Sequence, residues 1–202
     1  MAEARLSAAA AVLEGKLYAV GGADHVLSVE RYDPALDAWE AVAPMAPARI
    51  NHAMAVLDGK LYAVGGHDND DGYLSSVERY DPALDAWEAV VPMAAARDFH
   101  GMAVLDSKLY AVGGSAGIGH LSSVERYDPA LDAWEAVAPM AEARYKLAVA
   151  VLDGRLYAVG GQDAGYNALS SVERYDPGTN AWEAVVPMGT ARLFFGVALL
   201  RG

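Results

Sequence analysis

SVERYDPALDAWEAV occupies residues 28–42 and returns at 76–90 and 123–137, and a fourth version, SVERYDPGTNAWEAV, stands at 171–185. The tryptophans inside it, Trp39, Trp87, Trp134 and Trp182, lie 47 or 48 residues apart. Self-similarity at such a period marks a repeat architecture, in which each unit buries its apolar face against the next. Working outward from the second copy, residues 53–57 are apolar throughout, as a strand covered on both faces would be. Asp58 and Gly59 follow, the strongest short signal for a two-residue hairpin. A second strand over 60–64 stops at Gly65 and Gly66, where the missing Cβ permits positive φ or close approach by another backbone. After a polar loop, 76–80 reads as a third strand, DPALD at 81–85 as a proline-opened turn and 87–91 as a fourth strand. No segment carries a helical apolar period, so the chain is all-β.

Four-stranded meanders recurring about every 40–50 residues predict propeller blades. The glycine pairs that close each Y-A-V strand (Gly21 and Gly22, Gly65 and Gly66, Gly113 and Gly114, Gly160 and Gly161), the E-R-Y-D-P block, the Trp six residues after its Asp and the P-M-x-x-x-R run recur in fixed order. Together they resemble the kelch repeat over nearly the whole chain, most closely the propeller domain of kelch-like (BTB-kelch) substrate-adaptor proteins. The resemblance implies a kelch-type β-propeller of four four-stranded antiparallel blades in one domain, 1–202. Its repeats run over 5–48, 49–96, 97–143 and 144–191, and a partial fifth over 192–202 carries a spare innermost strand. Three arrangements stay open: a segment of a larger ring, a four-bladed ring with one terminal strand displaced, and an engineered idealised repeat scaffold with no natural ligand. A spare strand also predicts self-association through unpaired edges.

The 202 residues include no cysteine, which excludes disulfides and cysteine metal sites and makes a reducing, cytoplasmic setting the expectation. No apolar run approaches the ~20 residues that span a bilayer. Residues 5–13 have a faint signal-peptide character, but their register matches 49–57, so they read as lead-in and first strand. Nearly all of the net charge of −12 sits in the repeated block. On the outer strands it would discourage edge pairing, and nucleic acid is not an expected partner because no basic patch with interleaved aromatics is present.

Specificity is expected where the repeats differ. Two segments do: the loops after the glycine pairs (23–26, 67–73, 115–120 and 162–167) and the three residues after each P-M-x-x-x-R arginine. Both fall at the same end of their strands, which predicts one shared face carrying Arg49, Arg97, Arg144 and Arg192 with Asn51, His52, Tyr73, His100, Tyr145 and Lys146. Likeness to kelch adaptors implies that this face takes a peptide or protein partner, acidic if the arginines pair carboxylates, as guanidinium forks do well. The alternative for the arginines is to satisfy loop carbonyls. The glycine pairs and the four tryptophans are expected to be structural. No cofactor, metal or catalytic residue is expected: no nucleophile has a base beside it, and His25, His52, His67, His100 and His120 show no close metal spacing. The stretch 68–72, DNDDG, places its glycine one residue too early for an EF-hand loop. A sugar-binding or sugar-processing propeller using the same face is the competing class, and a ubiquitin-ligase adaptor role would need sequence outside this chain.

Overall fold

A computed structural model describes residues 1, 4–22, 26–117 and 119–198, which leaves His25 outside the described residues. The chain divides into two compact units, Met1–Asp98 and Phe99–Gly202. The first contains the meander β1 (Ala9–Leu13), β2 (Lys16–Val20), β3 (Val29–Asp33) and β4 (Ala38–Val42). Its second sheet is β5 (Ala53–Leu57), β6 (Lys60–Val64), β9 (Val77–Asp81) and β10 (Ala86–Val90), with a two-residue ribbon, β7 (His67–Asp68) and β8 (Gly72–Tyr73), in the intervening loop. The second unit repeats the plan in β11 (Gly101–Leu105), β12 (Lys108–Val112), β13 (Val124–Asp128) and β14 (Ala133–Val137), then β15 (Ala148–Leu152), β16 (Arg155–Val159), β17 (Val172–Asp176) and β18 (Ala181–Val185). Among the described residues there is no helix.

Turn chemistry explains the boundaries. At the first hairpin of the second sheet Asp58 has φ 50° and Gly59 φ 71°, the two positive values that a type I′ turn requires. In the third sheet the same place is held by Asp106 and Ser107, at 50° and 55°, so Ser107 occupies a conformation that favours glycine. Between the third and fourth strands the Asp33 carboxylate accepts the Ala35 N–H (2.9 Å), and Asp81, Asp128 and Asp176 do the same in their repeats. The ribbon β7–β8 was not foreseen. Asp68 forms it by accepting the N–H groups of Asp70 (2.7 Å) and Asp71 (3.0 Å), so the calcium-like stretch is a turn.

Sheets pack within each unit through one recurring interface. In the first unit Leu13, Tyr18, Val20 and Val29 of one sheet meet Leu61, Ala63, Tyr80 and Trp87 of the next. In the second unit Leu105, Tyr110, Val112 and Val124 meet Leu156, Ala158, Tyr175 and Trp182. Each seam is fastened by the fourth strand's tryptophan: Trp87 Nε1 donates to the Ala43 carbonyl (2.9 Å) and Trp182 Nε1 to that of Ala138 (2.8 Å). First strands are less buried than their composition predicts. In β1 half-buried and exposed positions alternate up to the buried Leu13, and Val12 is 64 % exposed. Residues 193–198, the described part of the spare first strand, join no sheet among the described residues; 199 and 200 lie outside them.

The acidic block is only partly a solvated rim. Glu30, Glu78, Glu125 and Glu173 are buried. The remaining glutamates pair across the outer strands, Arg31 with Glu40 (2.5 Å), Arg79 with Glu88 (2.6 Å), Arg126 with Glu135 (2.5 Å) and Arg174 with Glu183 (2.5 Å).

Candidate functional site

Within a repeat the two variable segments do lie side by side. Ile50 and His67 exchange both backbone hydrogen bonds (3.0 and 2.9 Å), and Tyr145 and Gln162 do the same (3.0 and 2.7 Å). The residue one place further on takes a left-handed conformation in every copy: Ser7, Asn51, Phe99, Lys146 and Phe194 have φ between 46° and 59°. Non-glycine residues in that region store strain, and they link successive repeats. Asn51 N–H donates to the Ser7 carbonyl (3.2 Å), Lys146 N–H to that of Phe99 (3.0 Å) and Phe194 N–H to that of Lys146 (3.2 Å).

The arginines do not present themselves to a ligand. Arg49, Arg97 and Arg144 are 0, 0 and 1 % exposed, which corrects their placement on a binding surface. The Arg49 guanidinium donates to the carbonyls of Gly65 (2.9 Å) and Ser76 (2.9 Å), to Ser76 Oγ (2.9 Å) and to Glu78 (3.2 Å). Arg144 repeats the set with Gly160, Ser171 and Glu173. Their own carbonyls reach the preceding sheet, accepting from Gly22 (3.1 Å) and Gly114 (2.8 Å). Arg49 and Arg144 are therefore each a clamp between the two sheets of their own unit. A Cβ on Gly21, whose φ is 64°, would stand 2.6 Å from the Arg49 carbonyl oxygen, so the glycine makes room for the clamp. Burial pushes Glu78 above the usual carboxylate range and Arg49 below its ordinary value, against the opposing pull of each on the other. Arg192 differs: its side chain is exposed.

His52 and His100 are also buried, at 7 % exposure, and this corrects their reading as surface specificity residues. The His52 imidazole is pushed down to about 3, first by burial and then by the Arg49 charge, so it is neutral at physiological pH. Asn51 is half-buried and Tyr73 is 41 % exposed, its ring edge-on to His67 at 5.1 Å.

In the second unit the non-repeated side chains converge. Lys146 Nζ lies 4.2 Å from the Phe194 ring centroid, 4.5 Å from Tyr145 and 5.1 Å from Phe99, so one ammonium is held by three aromatic faces. Phe99 meets Tyr145 and Phe194 edge-on (5.1 and 5.2 Å). His120 stacks on Tyr145 (4.7 Å, 9° between planes) and meets Tyr166 edge-on (5.1 Å), while its Nδ1 lies 2.7 Å from the Asp163 carbonyl oxygen. Phe194 and Tyr166 remain 60 and 72 % exposed. Of these, the sequence pointed to Tyr145 and Lys146 as partner-binding residues; Phe99, Phe194 and Tyr166 were not singled out, and His120 was weighed only as a metal ligand. The available signal was that all six stand at variable positions.

Residues 7–193 match the sequence model of the KLHDC2/KLHL20/DRC7 Kelch-repeats domain. Among solved structures the chain resembles that titled "Structure of YjhT", with a TM-score of 0.82 and 18 % identity, covering 94 % of this chain and 67 % of that one. That likeness gives the fold, a kelch propeller in which each four-stranded sheet is one blade.

Proposed function

Because the chain belongs to the kelch-repeat family, we propose that it is a non-catalytic interaction module that takes a peptide or protein partner on its loop side. The observation that carries this reading is the convergence of Phe99, Tyr145, Lys146 and Phe194, none of them part of the repeated pattern, into one partly exposed cluster. Exposed aromatic surface beside a fixed cation suits an extended segment with an acidic and an apolar residue, since aromatic side chains give contact area at low entropic cost. The buried arginines supply the rigidity of the platform rather than its charge, which on the second unit comes from Lys146 and Arg192.

A random peptide library displayed on phage and panned against the purified chain tests this. Enriched peptides are expected to carry acidic and aromatic residues, and Lys146→Ala with Phe194→Ala should abolish their binding. Leu84→Ser, in an exposed turn between the third and fourth strands, should leave it intact. Enriched peptides indifferent to the first pair would overturn the assignment.

A further inference from the structure

The fold dictates which nitrogen of His120 carries its hydrogen. Nδ1 lies 2.7 Å from the Asp163 carbonyl oxygen. A carbonyl oxygen only accepts, so Nδ1–H must donate, and in the neutral ring Nε2 is left as a bare acceptor. Both sides of that bond are held by local chemistry. The Asp163 carboxylate accepts the N–H groups of Gly165 (2.8 Å) and Asn167 (2.8 Å) and the Asn167 side-chain amide (3.0 Å), and Tyr166 N–H donates to the Asp163 carbonyl (3.0 Å), so the loop that offers the carbonyl is tied to itself. His120 in turn pairs with Ser115 across its own loop, and its ring lies flat on Tyr145 and edge-on to Tyr166. Turning the ring over would put carbon in place of Nδ1 and forfeit the bond.

The second nitrogen is unused. Nε2 makes no hydrogen bond among the described residues, and it is not sealed from solvent. The titratable groups packed round the ring are Tyr145, Tyr166, Asp163 and, against the same Tyr145 ring, Lys146. The Asp163 carboxylate is turned to Gly165 and Asn167, and Lys146 Nζ is held by its aromatic neighbours.

We infer that His120 is a specificity-determining residue of the proposed peptide site, its Nε2 accepting a hydrogen bond from an N–H or O–H of the bound segment. The inference rests on the reading of this cluster as a peptide site and adds a required donor to the acidic and apolar groups of the segment. A carboxylate at Nε2 would meet a lone pair, so the acidic residue belongs at Lys146 and the donor at His120. The ammonium and the imidazole, 4.5 and 4.7 Å from one ring centre, are no more than about 9 Å apart, which an extended chain crosses in about three residues.

The tautomer is tested first, on the chain alone. Long-range proton–nitrogen correlation spectra of the neutral ring are expected to show Nδ1 protonated and Nε2 bare; a ring protonated at Nε2 instead overturns the proposal. Binding of a library-selected peptide is then followed as pH is lowered. Protonation turns Nε2 from acceptor into donor, so affinity should fall by roughly three- to tenfold, the worth of one neutral hydrogen bond, in step with the protonated fraction of His120 read from the same spectra. His120→Asn keeps a donor for the Asp163 carbonyl but has no acceptor at the Nε2 position. It should bind weakly throughout and lack this step, and its profile removes what the peptide's own carboxylates contribute. Should the variant not fold, a peptide with its carboxylates replaced by amides serves as the reference. Affinity that stays flat or rises as His120 is protonated, in peptides that Lys146→Ala with Phe194→Ala abolishes, overturns this proposal alone. Peptides indifferent to that pair overturn the site and this proposal with it.

Discussion

Removing the clamp arginines one at a time separates their structural role from a ligand-binding one. Arg49→Ala leaves Glu78 buried at 6 % exposure with its Ala46 N–H bond (3.0 Å) but without its cation, and leaves the Gly65 and Ser76 carbonyls short of a donor. Breaking a buried ion pair by deleting one partner costs about 3–5 kcal/mol. Arg144→Ala removes the same set of contacts and should cost the same. Arg192 stands at the same place in the repeat with an exposed side chain, so Arg192→Ala should change stability by less than about 0.5 kcal/mol. Urea denaturation followed by tryptophan fluorescence provides the comparison. If Arg49→Ala proves as benign as Arg192→Ala, the clamp is refuted and the buried arginines must be explained otherwise.

His52 should make the first unit acid-sensitive. Its folded value of about 3 lies below the unfolded ~6.5, so the unfolded state binds the extra proton. The stability it contributes is complete above pH ~6.5 and falls as pH drops toward 3, by up to about 1.4 kcal/mol per unit. Subtracting the pH profile of His52→Leu from that of the parent should isolate this slope; a flat difference would show that the imidazole is hydrated. Ser107→Gly should stabilise the second unit by about 0.5–1 kcal/mol in thermal melts, because it relieves a left-handed serine at a turn where the other repeats carry glycine. Trp87→Phe deletes the donor to the Ala43 carbonyl and should cost about 0.5–1.5 kcal/mol in denaturant, whereas Trp39→Phe, which removes no hydrogen bond between described residues, should cost less.

The strands were legible because each is bounded by residues with local conformational preferences: Asp58 and Gly59 at a hairpin, Asp81 and Pro82 at the next turn. The observed β9 and β10 differ from the expected spans by one residue. The candidate site was less legible. A charged residue after a turn reads as exposed, and only the sheet pairing shows that Arg49 turns inward to Gly65 and Ser76 across 16 and 27 residues of sequence. Glu78 was misread as rim charge for the same reason: it is the other half of that clamp. Its recurrence beside an equally recurrent arginine was a signal of pairing. The cluster around Lys146 draws Phe99, Tyr145 and Phe194 from three successive repeats, and no local pattern announces a contact of that kind.

The central claim is that repeated residues build the platform and non-repeated ones meet the partner. Mapping amide chemical-shift changes while a library-selected peptide is titrated in tests it most directly. Perturbations are expected to concentrate at Phe99, His120, Tyr145, Lys146 and Phe194; perturbations centred instead on the exposed repeated turns at Leu36, Leu84 and Leu131 would contradict the claim.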